Sequence, residues 1–454
     1  MGGGALIQLI SFGVQDLHIS GEPQITYYKS IYRRYTNFAI ESIQQDIVGA
    51  LNPGTKVSVT FARNGDLLKG ITLQYSPNKI VPTQANSINA ISSNLGHVLF
   101  RTMELEIGGQ IIDKHYSNWL TIWRDLSFLS INEGQMAVGN NGYEPYGSII
   151  YNRSAYTHFI NVNYTGDPDN STVGAPSEAY VPMQFWFCRN PGLALPLIAL
   201  QYHEVKLHVT LANKENIINC KTNNDRNNAY VDLTSIKVFA EYYYLDTVER
   251  RQFAQNSHEY LIEQLQYQNY NDAIYVNNTV TIPLVFQHPI KEIIFCGQPT
   301  EEPYRISSDP LPVCNKGPAF PNNIVYKLIN NVLYKNSETT NVKMNLTFNQ
   351  LPRFSLGNLK YFTRQQIWQY HTGAGSCNLS DSIGVYSFSL RPEEDQPSGS
   401  CNFSRITNPR MVFTDFTKDN ITNTYEFLSE IDIYATNYNV LRVLSGMAGL
   451  AFTN

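Results

Sequence analysis

The chain of 454 residues repeats itself once, and that repeat limits its possible folds more than any other feature. Adding 201 to the position carries Phe187 onto Phe388, Pro191 onto Pro392, Pro196 onto Pro397, Tyr202 onto Phe403 and Val205 onto Ile406. A second block repeats at another spacing: Met103, Leu105 and Ile107 alternate as Met344, Leu346 and Phe348 do, 241 apart. Just beyond it, Tyr116, Ile122 and Trp123 map onto Tyr361, Ile367 and Trp368 at 245. The first half thus carries about 40 extra residues between the blocks, the mark of a duplicated domain in which one copy has grown a loop. Two copies at such a spacing make a tandem domain pair and not a solenoid.

Each half must therefore build its own core. Hydrophobic residues are 43% of the chain, enough for two cores, while charged residues are only 16%. A surface short of charge and rich in Asn, Thr, Ser and Tyr suits extensive protein contact. The net charge of −5 argues against a dedicated nucleic-acid binder, which would carry a basic domain. The six cysteines, Cys188, Cys220, Cys296, Cys314, Cys377 and Cys401, form no CxxC pair, so reduced thiols are expected rather than a zinc site or a disulfide framework. The longest apolar run, around Leu193 to Leu200, is broken by Pro196 and too short to span a bilayer. There is no signal peptide pattern, and Leu6 stands where a myristoylation signal needs Ser or Thr.

Alternation with period two dominates the patterning. Val57, Val59 and Phe61 alternate with polar residues, then come Asn64-Gly65 and a second alternation at Ile71, Leu73 and Tyr75, which predicts a hairpin. Further strands are expected at Val205–Val209, Val280–Phe286 and Ile431–Ile433. Helices are few. Tyr116 to Leu126 places Trp119, Ile122, Trp123 and Leu126 on one face, with an echo near Tyr361 to Tyr370. Another helix starts with Asp246 or Thr247 as N-cap. The stretches 129–180 and 298–325 read as long loops, either outward or between subunits. Many short strands with one helix on a connection of each half predict an all-β fold of two tandem eight-stranded jelly rolls with short helices in the loops. The expected division is an N-terminal arm over 1–24, jelly roll 1 over 25–246, a linker helix over 247–257 and jelly roll 2 over 258–454.

No catalytic constellation emerges, and no catalytic, cofactor-binding or metal residue is assigned. His203 and His208 have an odd separation, which on a strand sends them to opposite faces, so a partly buried, hydrogen-bonded His203 is the better reading. Glu393-Glu394-Asp395 reads as a solvated loop rather than a calcium site. Gly373 and Gly375 form a lone GxG without strand-to-helix context for phosphate. The eight N-x-Ser/Thr triplets, at Asn152, Asn163, Asn170, Asn277, Asn345, Asn378, Asn402 and Asn420, follow from an Asn-rich composition, and Asn345 and Asn402 fall in expected strands. Pro191, Pro196, Pro392 and Pro397 read as determinants of an irregular corner in each half.

At this point whole segments carry a resemblance. SFGVQDLHISGEPQITYYKSIYRRYTNFAIESIQQ, ELEIGGQIIDKHYSNWL, RNPGLALPLIALQYHEVKL, HEYLIEQLQ, PSGSCNFSRI and YATNYNVLRVLSGMAGLAF resemble, in order, the major capsid proteins of nucleocytoplasmic large DNA viruses, the double jelly-roll group of chlorella viruses, iridoviruses and amoebal giant viruses. The resemblance implies a structural virion protein, not an enzyme, that forms a homotrimeric capsomer of pseudo-hexagonal outline in an icosahedral shell. It implies neighbouring capsomers and minor capsid and penton proteins as partners, with no cofactor and no direct nucleic-acid contact. An inner membrane would be met at most indirectly or through the arm, and assembly would take place in a viral factory in the host cytoplasm. The alternative is a tandem jelly-roll carbohydrate-binding module with aromatic loop residues stacked on sugars, distinguished by a monomeric mass.

Overall fold

The computed structural model describes residues 3–11, 13–75, 80–81, 88–91, 95–127, 179–220, 230–271, 274–275, 279–298, 343–355, 357–373, 383–414, 426–428 and 430–453. The chain divides into two compact units, Met1–Asn37 and Phe38–Asn454. The first holds a helix at Gly3–Ile10 and leaves Ile25, Tyr27, Tyr28, Ile31, Tyr32 and Tyr35 exposed.

The second unit holds both repeats. The first consists of β1 (Phe38–Gln45), β2 (Lys56–Thr60), β3 (Leu67–Tyr75), β4 (Phe100–Ile107), β5 (Gln110–Tyr116), β6 (Ala179–Pro182), β7 (Leu195–Pro196), β8 (Val205–Leu211) and β9 (Lys237–Leu245). The second consists of β10 (His258–Tyr270), β11 (Val280–Pro283), β12 (Pro289–Gln298), β13 (Lys343–Phe348), β14 (Gly357–Asn358), β15 (Gly384–Ser387), β16 (Cys401–Asn402), β17 (Arg410–Thr414) and β18 (Glu430–Leu444). Two antiparallel sheets close each half: β1-β9-β3-β7 faces β2-β8-β4-β5, and β10-β18-β12-β15 faces β11-β17-β13, with β14 on the outer edge of β13. The shorter β6 and β16 extend β3 and β12. Both halves share one strand order, that of the jelly roll, so the expected double jelly roll is the fold.

Alternation explains the strands. In β8 every second residue from Val205 to Leu211 is buried, and in the second half Val280, Ile282, Leu284 and Phe286 point inward while Thr281, Pro283 and Val285 do not. The predicted hairpin is overturned, however. β2 pairs with β8 and β3 with β9, so the chain between them crosses from one sheet to the other. Gly65 is there for closeness and not for positive φ: a Cβ on it would stand 2.7 Å from the Cβ of Tyr242.

Pairing also corrects the residue-by-residue repeat. Val209 lies between Val57 and Met103 as Phe413 lies between Val280 and Met344, and the Phe61 amide bonds Val205 O as the Leu284 amide bonds Pro409 O. Pro409, not Ile406, is therefore the counterpart of Val205. At the corner, Pro196 opposes Leu67 as Asn402 opposes Pro289, so Pro196 does not correspond to Pro397. The five-residue spacing of prolines in both halves lets a sequence alignment slip by one proline without penalty.

Candidate functional site

The chemistry of this chain is concentrated where the two barrels meet. The Ser117–Ser127 helix forms because Leu120 reaches its own barrel core while Trp119, Ile122, Trp123 and Leu126 make a second apolar face. That face packs on the other half, in a cluster with Leu265, Ile294, Cys296, Ile383, Val385 and Tyr434. The Trp119 and Tyr434 rings lie 5.6 Å apart, and Tyr116 meets Tyr267 at 4.5 Å. The sequence correctly marks the face of this helix but not its destination.

Ion pairs surround the aromatic cluster. Glu263 on β10 accepts from Arg189 Nη2 of the first half at 2.7 Å and from Lys291 of β12, whose Nζ also donates to Pro392 O at 2.6 Å. The Arg189 guanidinium stacks 4.9 Å over the Trp123 ring. Burial alone would raise the Glu263 pKa, but Arg189 and Lys291 outweigh it and hold the carboxyl below its ordinary value. Nearby, His371 is enclosed between two carboxylates, with Nε2 3.1 Å from Glu292 Oε2 and Nδ1 3.0 Å from Glu393 Oε1. Burial would lower its pKa, yet the two carboxylates outweigh that and raise it to about 9. Glu393 is held low in turn, because hydrogen bonds from His371 and Thr372 outweigh its own burial.

Backbone contacts complete the seam. The Gly373 amide donates to Leu126 O at 2.6 Å, Thr372 Oγ1 to Ser127 O at 2.7 Å, the Leu265 amide to Asp113 Oδ1 at 3.0 Å and the Tyr202 amide to Gly446 O at 3.0 Å. Ile262, Leu441 and Val443 of the second half join the core of the first. The two barrels are one block.

The residues singled out in the sequence fall into place around this seam. His203 is half-buried and its Nδ1 accepts from the Ala448 amide at 3.1 Å, while His208 Nε2 meets Glu106 at 2.8 Å, so the two act apart. Glu393 corrects the solvated-loop expectation: Glu394 and Asp395 are exposed, but Glu393 is held by His371. Gly373 spends its amide on Leu126, and Gly375 lies outside the described residues. Asn345 is buried within β13, and Asn402 Oδ1 accepts from the Ser404 amide at 3.1 Å. Asn152, Asn163, Asn170, Asn277, Asn378, Asn420, Cys314, Cys377 and nearly all of the 129–180 and 298–325 loops lie outside the described residues. Cys188, Cys296 and Cys401 are free thiols, and burial pushes the Cys188 pKa up to about 12. Lys291, Glu292 and His371 were missed. The signal for the first two is a Lys-Glu pair inside the otherwise apolar run PIKEIIFCG, and His371 has none.

Two jelly rolls fused through a buried aromatic and ionic seam define a double jelly-roll protein. Comparison with known proteins carries this further. Residues 26–246 match the family model described as the major capsid protein N-terminus, and residues 249–449 that of the large eukaryotic DNA virus major capsid protein. The major capsid protein of Pyramimonas orientalis virus is 37% identical, covering 100% of both chains. That of Paramecium bursaria Chlorella virus 1 is also 37% identical, over 99% of this chain and 100% of its own. Solved PBCV-1 VP54 superposes with a TM-score of 0.70 at 32% identity, covering 94% of this chain and all of that one. The Faustovirus major capsid protein, at 12% identity and a TM-score of 0.60 over 97% of this chain and 96% of its own, shares the fold. This chain belongs to the major capsid proteins of large eukaryotic DNA viruses, a structural component of the icosahedral virion capsid and not an enzyme.

Proposed function

We propose that three copies of this chain associate into a capsomer of pseudo-hexagonal outline, and that such capsomers tile the shell beside minor capsid and penton proteins. The seam carries this reading. Because buried aromatic and ionic contacts fix the two barrels as a single two-lobed block, threefold repetition of the block yields six similar lobes in a ring. In this reading residues 25–246 and 258–454 are the two lobes, 247–257 is the helix joining them, and 1–24 is an arm directed to the inner side of the shell. The side chain of Asp246 accepts from the Thr247 amide at 2.7 Å, which supports a fixed start for that joining helix. No residue is assigned a catalytic, cofactor or metal role. Nucleic acid is not contacted directly, and assembly takes place late in infection in the host cytoplasm. Sedimentation equilibrium of the purified full chain tests the reading: a mass three times the 51.5 kDa of the chain is expected. A monomer at micromolar concentration would overturn it.

A further inference from the structure

The seam is built from one face of a first-half helix, and the matching face in the second half is exposed. Strand pairing fixes the match: Met103 opposes His115 as Met344 opposes Gly357, so the residues that follow correspond at a spacing of 242. This corrects the 245 suggested by sequence, a slip of nearly one helical turn. Leu120 and Thr121, which point into their own barrel, correspond to Phe362 and Thr363, and all four are buried. The seam face of Trp119, Ile122, Trp123 and Leu126 is answered in the second half by Tyr361, Arg364, Gln365 and Trp368, on a helix that opens with a π turn over Tyr361–Gln365 and continues as α over Gln366–Tyr370. The first set is buried against the other half, whereas all four of the second set are exposed, Trp368 at 79% and Tyr361 at 44%.

The receiving surface is duplicated as well. Tyr434, which Trp119 meets, pairs across its sheet with Ile294 and Tyr267. Phe239 pairs in the same way with Thr72 and Gln44, and so occupies the same place in the first half. Its side chain points away from the core formed by Val238 and Ala240, and on the same outer face, farther along β1 and opposite Tyr243, Ile40 is 52% exposed. One chain thus carries an exposed aromatic helix face and, on its other half, a second copy of the surface that covers such a face, with Phe239 half-buried.

We propose that these two surfaces are complementary halves of one intermolecular contact: the Tyr361–Trp368 face of one copy seats on the outer sheet around Phe239 of the next. Tyr361 then stands to Phe239 of the next copy as Trp119 stands to Tyr434 within a chain. The contact is head to tail, so it propagates around a ring until the rotation closes. Trp and Tyr at the centre of such a contact are its anchors. The inference rests on the trimer reading and specifies which faces make it.

Disulfide trapping tests the assignment on the full chain. Tyr361→Cys and Phe239→Cys, each made singly, are co-expressed and oxidised, and a covalent two-chain product is expected from the mixture but from neither variant alone. In parallel, Trp368→Ser is expected to raise the concentration at which the assembly dissociates at least tenfold, with unchanged circular dichroism because the side chain is exposed in one chain. An assembly of trimer mass that neither cross-links nor responds to Trp368→Ser would overturn the face assignment and leave the trimer standing. A monomeric wild type would instead overturn the trimer reading beneath it.

Discussion

His371 lies beside the seam, in a buried ion cluster made within the second half. Its imidazole is buried between Glu292 and Glu393, and its raised pKa, about 9 against an ordinary 6.5, means that folding favours the charged ring. The stability it contributes is therefore fully present below about pH 6.5 and is lost as pH rises through about 9. Glu263 and Glu393, both held low, act in the opposite direction: their contribution is lost as pH falls through their depressed values. His371→Gln leaves two carboxylates facing each other without a cation and should cost about 3–5 kcal/mol. Urea midpoints measured from pH 6 to 10 should fall for the wild type on the alkaline side and fall less for the variant; parallel curves would show that His371 is not the titrating group. A second residue-scale test concerns Gly384 on β15, where an added Cβ would stand 2.3 Å from the buried Phe295 ring. Gly384→Ala should destabilise by about 1–3 kcal/mol through overpacking, read as a lower denaturation midpoint. An unchanged midpoint would mean that the ring has room to move. Neither site was legible in the sequence: His371 lies 79 and 22 positions from its partners, and no local pattern announces a pairing made by tertiary folding.

At the scale of elements, the sequence shows what is buried better than what it is buried against. Period-two alternation located β2, β3, β8 and β11, because a strand with one dry face must alternate. It could not distinguish a hairpin from a crossover, since both present the same alternation on either side of a turn; strand pairing alone shows the crossover. The corner prolines were legible as breakers but not as a register, for their spacing repeats. The helix at Ser117–Ser127 shows the same limit. Its face of Trp119, Ile122, Trp123 and Leu126 was visible from helical spacing, yet the surface it covers belongs to a domain more than a hundred residues away. Trp119→Ala should cost about 3–5 kcal/mol and fall most heavily on the seam. Hydrogen exchange should then quicken in β10 and β18 along the shared surface while the far sheet of the first barrel keeps its protection. Uniform quickening across both barrels would show that they unfold as one unit even when the seam is weakened.

For the whole molecule, the unit Met1–Asn37 is the clearest sign that the chain is made to be covered. Tyr27, Tyr28, Tyr32 and Tyr35 are exposed there, interleaved with Ile25, Ile31, Lys29, Arg33 and Arg34, an apolar content that soluble monomers do not ordinarily leave in water. Limited proteolysis of the purified protein should cut within residues 3–37 first. Protection there equal to that of the barrels would mean that this segment is already covered in the isolated assembly. The arm expected from the sequence over 1–24 falls short of the exposed stretch, which continues through Tyr35.

The seam also bears on how quickly shells can be built. A contact between two barrels on one polypeptide forms at an effective concentration on the order of millimolar whatever the protein's abundance, and here it is completed during folding. If the two faces identified above close the ring, alternate joints around it are already made before any two chains collide. Dilution can then act only on the remaining joints, so capsomer formation should show a lower order in protein concentration than a ring of six separate barrels, and no half-blocks should accumulate when supply runs short.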